Sequence, residues 1–317
     1  MGRRKKGTPV HGWVIVDKPQ GVTSTQVVGI VRRVFDAQKA GHAGTLDPMA
    51  TGVLAVALGE ATKTVPYAMD AEKIYRFTAT WGESRDSDDA EGAVTGTADK
   101  RPSREEIEAA IPGLVGTISQ TPPVYSAIKV DGERAYDLAR DGEEVVLEPR
   151  PVFIRSVRLL GQPGAGTAEF EMVCGKGTYV RAWVRDLGLA LGTLGYVSQL
   201  RRLAIGNFKA ADAIGLKPLK AFMHSPAAFE HLLPLSTALD GIPALAVTGQ
   251  DAVRLKSGNP ILVRQREFAR IAESAHGQDD LQGLTVYLST GEGEPVALAA
   301  FAGGELRPFR VFNFATG

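Results

Sequence analysis

Apolar and polar residues change their period several times along the chain, and each change marks an element. Trp13-Val14-Ile15-Val16 is a short apolar run stopped at Pro19-Gln20-Gly21, which predicts a strand and a turn. Val27, Ile30, Val31 and Val34 follow at helical spacing, with Thr23 or Ser24 as N-cap. Val53 to Leu58 is apolar throughout and ends at Gly59, the length of a buried strand. Tyr75, Phe77, Ala79 and Trp81 alternate with Arg76, Thr78 and Thr80, so that strand buries one face. Glu105 to Ala110 reads as a short helix, capped by Ser103 and ended by Ile111-Pro112-Gly113. Strands are expected around Phe153 to Leu160 and Ala168 to Cys174. A helix then sets Val180, Val184, Leu187 and Leu191 on one stripe beside Trp183, before Gly192 and Gly195.

Between these elements, Thr121-Pro122-Pro123 to Arg150 reads as an insertion. It holds an extended arm, an Asp131-Gly132 turn, a helix over Arg134 to Arg140 and an Asp141-Gly142 turn. Residues 209–242 carry Pro218, Pro226 and Pro234 and read as a connector ending at Pro243. Residues 243–317 show a short helix, Gln250 to Lys256, then Gly258-Asn259-Pro260 and strands split at 291–293 and 303–304. This predicts a main domain over 1–242 and a small β-rich domain over 243–317, with no tandem repeat.

One stretch has no periodic reading. In Gly41-His42-Ala43-Gly44-Thr45-Leu46-Asp47-Pro48-Met49-Ala50-Thr51-Gly52, a single carboxylate stands in a glycine-punctuated loop. Pro48 pushes Asp47 toward extended backbone, and Gly41 and Gly44 permit angles that other residues avoid. Such a loop can hold one acid for chemistry; equally, Asp47 can cap a helix that starts at Pro48.

At 317 residues and 44% hydrophobic, the chain can bury a large core. Cys174 is the single cysteine, so no internal disulfide forms; its place in a strand predicts a buried thiol rather than a nucleophile. Trp13 to Val16 is too short for a signal-peptide core, Lys6 breaks the myristoylation pattern, and no apolar run is long enough to span a bilayer. A soluble cytoplasmic protein is expected. Net charge is zero, so its distribution matters more. Residues 1–42, including Arg3-Arg4-Lys5-Lys6, hold eight Lys/Arg against two Asp; residues 176–209 hold six against one. If they converge, they form a positive surface for an RNA backbone. The acidic loop Asp86-Ser87-Asp88-Asp89-Ala90-Glu91-Gly92 fails the EF-hand pattern at Ala90 and Gly92 and is expected to be a solvated turn. None of the five histidines pairs at metal-ligand spacing.

Four segments together carry a resemblance. GHAGTLDPMATGVL closely resembles the catalytic-aspartate motif of the tRNA pseudouridine-55 synthases, the TruB family. Asp17-Lys18-Pro19-Gln20-Gly21-Val22-Thr23-Ser24 resembles its upstream DKPxGxTS motif. Gly177-Thr178-Tyr179-Val180-Arg181 with Arg185-Asp186-Leu187-Gly188 resembles its GTYIRxxxRDLG motif, and Leu200-Arg201-Arg202 its LRR element. The resemblance implies an α+β fold around a largely antiparallel sheet, with a PUA-like RNA-binding domain at the C-terminus. It implies isomerisation of one uridine in the tRNA T loop by a stand-alone monomer, without an obligatory protein partner, and an insertion at about 121–150 that contacts RNA.

The reaction breaks uracil N1 from ribose C1′ and joins C5 to C1′. No water enters the product and no net electron is transferred, so neither a metal nor a redox cofactor is required. One acid can act as nucleophile at sugar or base, or as base at C2′. The resemblance makes Asp47 that acid, Arg181 its cationic partner, and Tyr75, Tyr179 and Leu200 the base pocket. It puts His42 and Lys18 on the RNA beside the displaced base, although His42 could equally serve a hydrogen bond within its glycine turn.

Overall fold

The computed structural model describes residues 7–126, 128–130, 133–140, 145–164, 166–223, 225–274 and 281–314. Arg3-Arg4-Lys5-Lys6 and the predicted Asp131-Gly132 and Asp141-Gly142 turns lie outside the described residues. A ten-stranded sheet forms the frame. Its main path runs Ile214–Gly215, Gly12–Lys18, Thr51–Leu58, Gly195–Ile205, Lys73–Trp81, Thr167–Cys174, Arg150–Gly161 and Gly116–Gln120. Neighbours are antiparallel except at two places. Ile214–Gly215, at the edge, runs parallel to Gly12–Lys18. Thr51–Leu58 meets Gly195–Ile205 in parallel over only Arg201↔Thr51 and Arg202↔Gly52. Two antiparallel blocks therefore join at a short parallel seam.

Gly52 is what lets the seam close. Its φ is +98°, and a Cβ there would stand 2.2 Å from the Arg202 carbonyl oxygen. Only glycine fits this close approach of two backbones.

Each antiparallel block carries its own core. Phe77, Phe170 and Trp183 pack ring against ring at 5.3–5.8 Å, as the alternation in Lys73–Trp81 and the stripe on helix Val180–Ala190 predict. That helix ends in a Schellman cap: Thr193 N–H donates to Gly188 O at 2.9 Å and Gly192 N–H to Leu189 O at 3.0 Å. Helix Ser24–Val34 packs Val27, Ile30, Val31 and Val34 on Val14, Val16 and Val56. Thr23 is its N-cap, in a capping box with Gln26.

The segment 209–242 is more than the connector its prolines imply. Leu216 and Leu219 join the core under helix Ser24–Val34, while Leu235 and Leu239 pack with Trp13 and Phe208. The prolines break long elements but leave apolar residues between them free to dock. The C-terminal sheet has the order Ala244–Val247, Thr285–Thr290, Pro295–Ala302, Glu305–Val311, Ile261–Leu262. It curls around its own core of Val286, Leu288, Val296 and Leu306. Helix Gln265–Ser274 was not expected from the pattern. The C-terminal sheet docks through Tyr287, Leu298 and Phe312, which share one buried cluster with Trp13 and Phe208. No helix among the described residues is long and apolar enough to cross a membrane.

Candidate active site

The loop holding Asp47 is built by the segment thirty residues before it. Lys18 Nζ donates to Pro48 O at 3.1 Å, and Gly21 N–H to the same oxygen at 2.8 Å. Ser24 Oγ donates to Leu46 O and accepts from Leu46 N–H, both at 2.9 Å. Asp47 is thus pinned on both sides along the chain. The helix-cap alternative fails: Asp47 O accepts from Ala50 N–H at 3.1 Å, a β-turn with Pro48 at its second position, and the chain enters strand Thr51–Leu58 directly. Gly44 uses its freedom, at φ +86°; Gly41 lies in strand Ala40–His42 and does not.

Arg181, 2% exposed at the start of helix Val180–Ala190, lies across the seam from this turn. Its Nε is 2.9 Å from Asp47 Oδ2, as an ion pair rather than an aligned hydrogen bond. Nη1 donates to Ser87 O at 2.6 Å and lies 3.5 Å from Asp89 Oδ2; Nη2 donates to Tyr125 O at 2.8 Å. One turn on, Arg185 pairs with Asp88 at 2.9 Å and donates to Thr121 O at 2.7 Å. The two arginines tie the Asp47 turn, the acidic loop and the start of the insertion to one helix face. Asp47 remains the accessible member, its side chain 33% exposed.

The acidic loop is therefore not the solvated turn expected of it. Ser87, Asp88 and Asp89 are buried, and Ala90 N–H donates to Val197 O at 3.0 Å on the seam strand. Burial pushes the Asp88 carboxyl up to about 6 in spite of Arg185. Of the cations expected on a positive RNA surface, four are engaged inside the molecule, while Arg32, Arg33, Lys39, Lys176 and Lys209 are exposed. Arg181 and Arg202 are buried, Arg185 is paired with Asp88, and Arg201 is bidentate with Asp17 at 2.9 Å for each bond. These cations neutralise the molecule's own acids and carbonyls. Among the described residues, no group of three or more His, Cys, Asp or Glu could hold a metal ion.

The other expected residues fall in different places. Tyr75 faces the core side of its strand, directly across from Met172 and Arg202. Burial raises its phenol, Arg202 opposes that, and the Asp47 charge adds to it. Tyr179 sits just before helix Val180–Ala190, its backbone bracketed by the Gln120 amide at 2.8 and 3.1 Å, with the Arg150 guanidinium 5.4 Å from its ring centroid. Leu200 is buried and lines a cleft of about 360 Å³ with Met49, Thr51, Arg76 and Ser198. His42 is half-buried on strand Ala40–His42, opposite Val56. Lys18 departs most from its expected RNA contact. It is fully buried, donates to the Pro19, Val22 and Pro48 carbonyls, and is lowered to about 8 by desolvation.

Three residues at the site escaped the sequence reading. Asp88 and Asp89 could have been suspected, since an acidic loop and a basic segment in one neutral chain are natural partners. Arg202 stands in the Leu200-Arg201-Arg202 triplet, and nothing in the pattern marks it as buried.

A family model described as TruB family pseudouridylate synthase, N-terminal domain, matches residues 32–180. Another, described as tRNA pseudouridylate synthase B C-terminal domain, matches residues 181–240. A protein of Caulobacter vibrioides named tRNA pseudouridine synthase B is 53% identical over 313 residues, 99% of each chain. One of the same name from Bradyrhizobium diazoefficiens is 53% identical over 98% of this chain and 88% of that one. The fold is similar to chains solved in a Cbf5-Nop10-Gar1 complex (TM-score 0.70, 23% identity, 95% of this chain and 85% of that chain) and in an H/ACA RNP bound to a substrate RNA containing 2′-deoxyuridine (TM-score 0.73, 21% identity, 100% and 92%).

Proposed function

This chain belongs to the TruB family of pseudouridylate synthases and is an isomerase, and from that premise we propose that it converts one uridine in the T loop of tRNA, position 55, to pseudouridine. The observation that carries the reading is the 2.9 Å ion pair between Asp47 and Arg181, within a turn held from both sides. A carboxylate in a water-poor site tends to take up a proton, and an adjacent cation keeps it ionised. Asp47 then attacks the sugar or base, or takes a proton at C2′, while N1–C1′ breaks and C5–C1′ forms. The C5 proton is lost and N1 gains one, so the atoms balance without water or an oxidant.

The target base must leave the stack, at a cost of a few kcal/mol, and be held on an aromatic or apolar face. Tyr75, Tyr179 and Leu200 are the residues for that face. His42 stays near the displaced base, whereas Lys18 serves the loop. In this reading residues 1–242 carry the chemistry, the arm at about 121–150 meets the RNA, and residues 243–317 are a PUA-like domain that adds affinity. The protein works in the cytoplasm as a monomer.

The similar folds in H/ACA complexes raise a guide-dependent alternative. Near-full-length similarity to proteins named for tRNA favours the stand-alone reading. The test is purified protein with an unmodified tRNA transcript carrying tritium at uridine C5. Tritium release from position 55, without guide RNA or second protein, supports the proposal; release only when both are added overturns it.

A further inference from the structure

Arg202 is 1% exposed at the parallel seam, yet it makes no ion pair among the described residues. Its guanidinium is spent on carbonyls from both limbs of the Asp47 loop. Nη2 donates to Gly44 O at 3.0 Å, Nη1 to Thr45 O at 3.3 Å, and Nε to Val53 O at 2.8 Å. Burying a cation this way is costly, and an apolar side chain would fill the space at less expense. The planar fork explains its presence, because three donors in fixed directions hold two segments at a set geometry, which a leucine cannot do and a flexible ammonium does less rigidly.

The strand geometry adds a second link. Arg202 stands between Gly52 of one antiparallel block and Tyr75 of the other, directly opposite each. Lys18 secures the tip of the loop through Pro48, and Arg202 secures its base.

We propose that Arg202 is a positioning residue of the active site, fixing the base of the Asp47 loop and the Tyr75 phenol relative to one another across the seam. The role rests on the isomerase reading above. Arg202 itself touches no reacting atom. It sets the separation of two groups that do.

The test uses full-length Arg202→Met and Arg202→Lys, with Tyr75→Phe for assignment. Rates are single-turnover tritium release at saturating enzyme across pH, beside tRNA affinity. Without RNA, the Tyr75 phenol is titrated by NMR on ¹³Cζ-labelled tyrosine. In Arg202→Met, release should fall about 100-fold, the size expected for a misplacement of about 1 Å, with affinity nearly unchanged. The Tyr75 titration should move to higher pH. Arg202→Lys should recover part of the rate and bring the Tyr75 titration back. If Arg202→Met does not fold, the lysine variant carries the test, through a reduced rate with a near-normal Tyr75 titration. A full rate in Arg202→Met overturns the proposal. So does a lysine variant no better than methionine with Tyr75 unmoved, which would show a merely structural anchor. If the wild type releases no tritium, the isomerase reading fails, while the Tyr75 titration still decides whether Arg202 governs that side chain.

Discussion

Replacing Arg181 by methionine should damage chemistry far more than binding, and the structure sets the size of the effect. Arg181 Nε and Asp47 Oδ2 are 2.9 Å apart, and unit charges about 4 Å apart interact by about 4 kcal/mol at an effective dielectric of about 20. The Asp47 side chain is 33% exposed, and solvent screening reduces this to roughly 2 kcal/mol. Where that stabilisation serves the reaction, its loss lowers the saturating rate about 30-fold. The loss also strands Asp89 and the Ser87 and Tyr125 carbonyls, a stability cost of about 3–5 kcal/mol. Asp89 keeps the Ser87 hydroxyl at 2.6 Å and the Glu91 N–H at 3.0 Å, which favours the lower end. The assay is single-turnover tritium release at saturating enzyme, with tRNA affinity across salt, on protein shown to be folded by circular dichroism. Arg181→Lys keeps the charge without the fork and should restore only part of the rate. Near-normal saturating rates in Arg181→Met, with binding weakened and its salt slope lowered by about one unit, would refute the reasoning and move Arg181 to the RNA-binding surface.

Asp47→Asn should abolish multiple turnover while sparing tRNA affinity; steady turnover by well-purified variant would remove Asp47 from the chemistry. Activity on a prefolded stem-loop should survive EDTA, because the bond changes balance without a metal; loss restored by zinc would contradict this. Asp88, raised to about 6 from an ordinary carboxylate value, contributes stability that is full at low pH and lost as pH rises through about 6. Asp88→Asn should therefore gain on the wild type between pH 4 and 7 by urea midpoint; a shrinking advantage would mean that the Arg185 pair outweighs desolvation. Phe312→Ala should cost about 3–5 kcal/mol by hollowing the cluster shared with Trp13 and Phe208, and leave the single-turnover rate intact. A collapsed rate in folded Phe312→Ala would tie the C-terminal sheet to the chemistry.

Periodic segments were legible in the chain, and for a common reason. The alternation from Tyr75 to Trp81 and the stripe through Val180, Val184 and Leu187 each report one buried face, which local sequence encodes. Helix Gln265–Ser274 was less legible, since only Ile271 is buried at its described core-facing positions, beside a partly exposed Phe268. Asp47 and Arg181 were visible through their motifs, but their 2.9 Å contact spans 134 positions that no local pattern links. Lys18, Arg201 and Arg202 read as RNA-facing charge because side-chain type records charge and not direction. Their partners are backbone carbonyls, or Asp17 across the seam, and carbonyls have no signature in sequence.

The two-pair parallel seam has a consequence for the order in which this protein becomes competent. Asp47 belongs to the block formed by residues 12–58, while Tyr75, Tyr179 and Arg181 belong to residues 73–205. The first block pairs strands near in sequence, whereas the second already closes Lys73–Trp81 on Gly195–Ile205 across more than 110 positions. The seam joins Thr51 to Arg201 and Gly52 to Arg202 through two residue pairs alone, and it needs strand Gly195–Ile205 in place first. A nascent chain still on the ribosome, or one with a single block formed, holds either the acid or its cation but not both. Catalytic competence therefore reports that the whole sheet has closed, and a half-formed molecule has no means of altering an RNA it happens to bind.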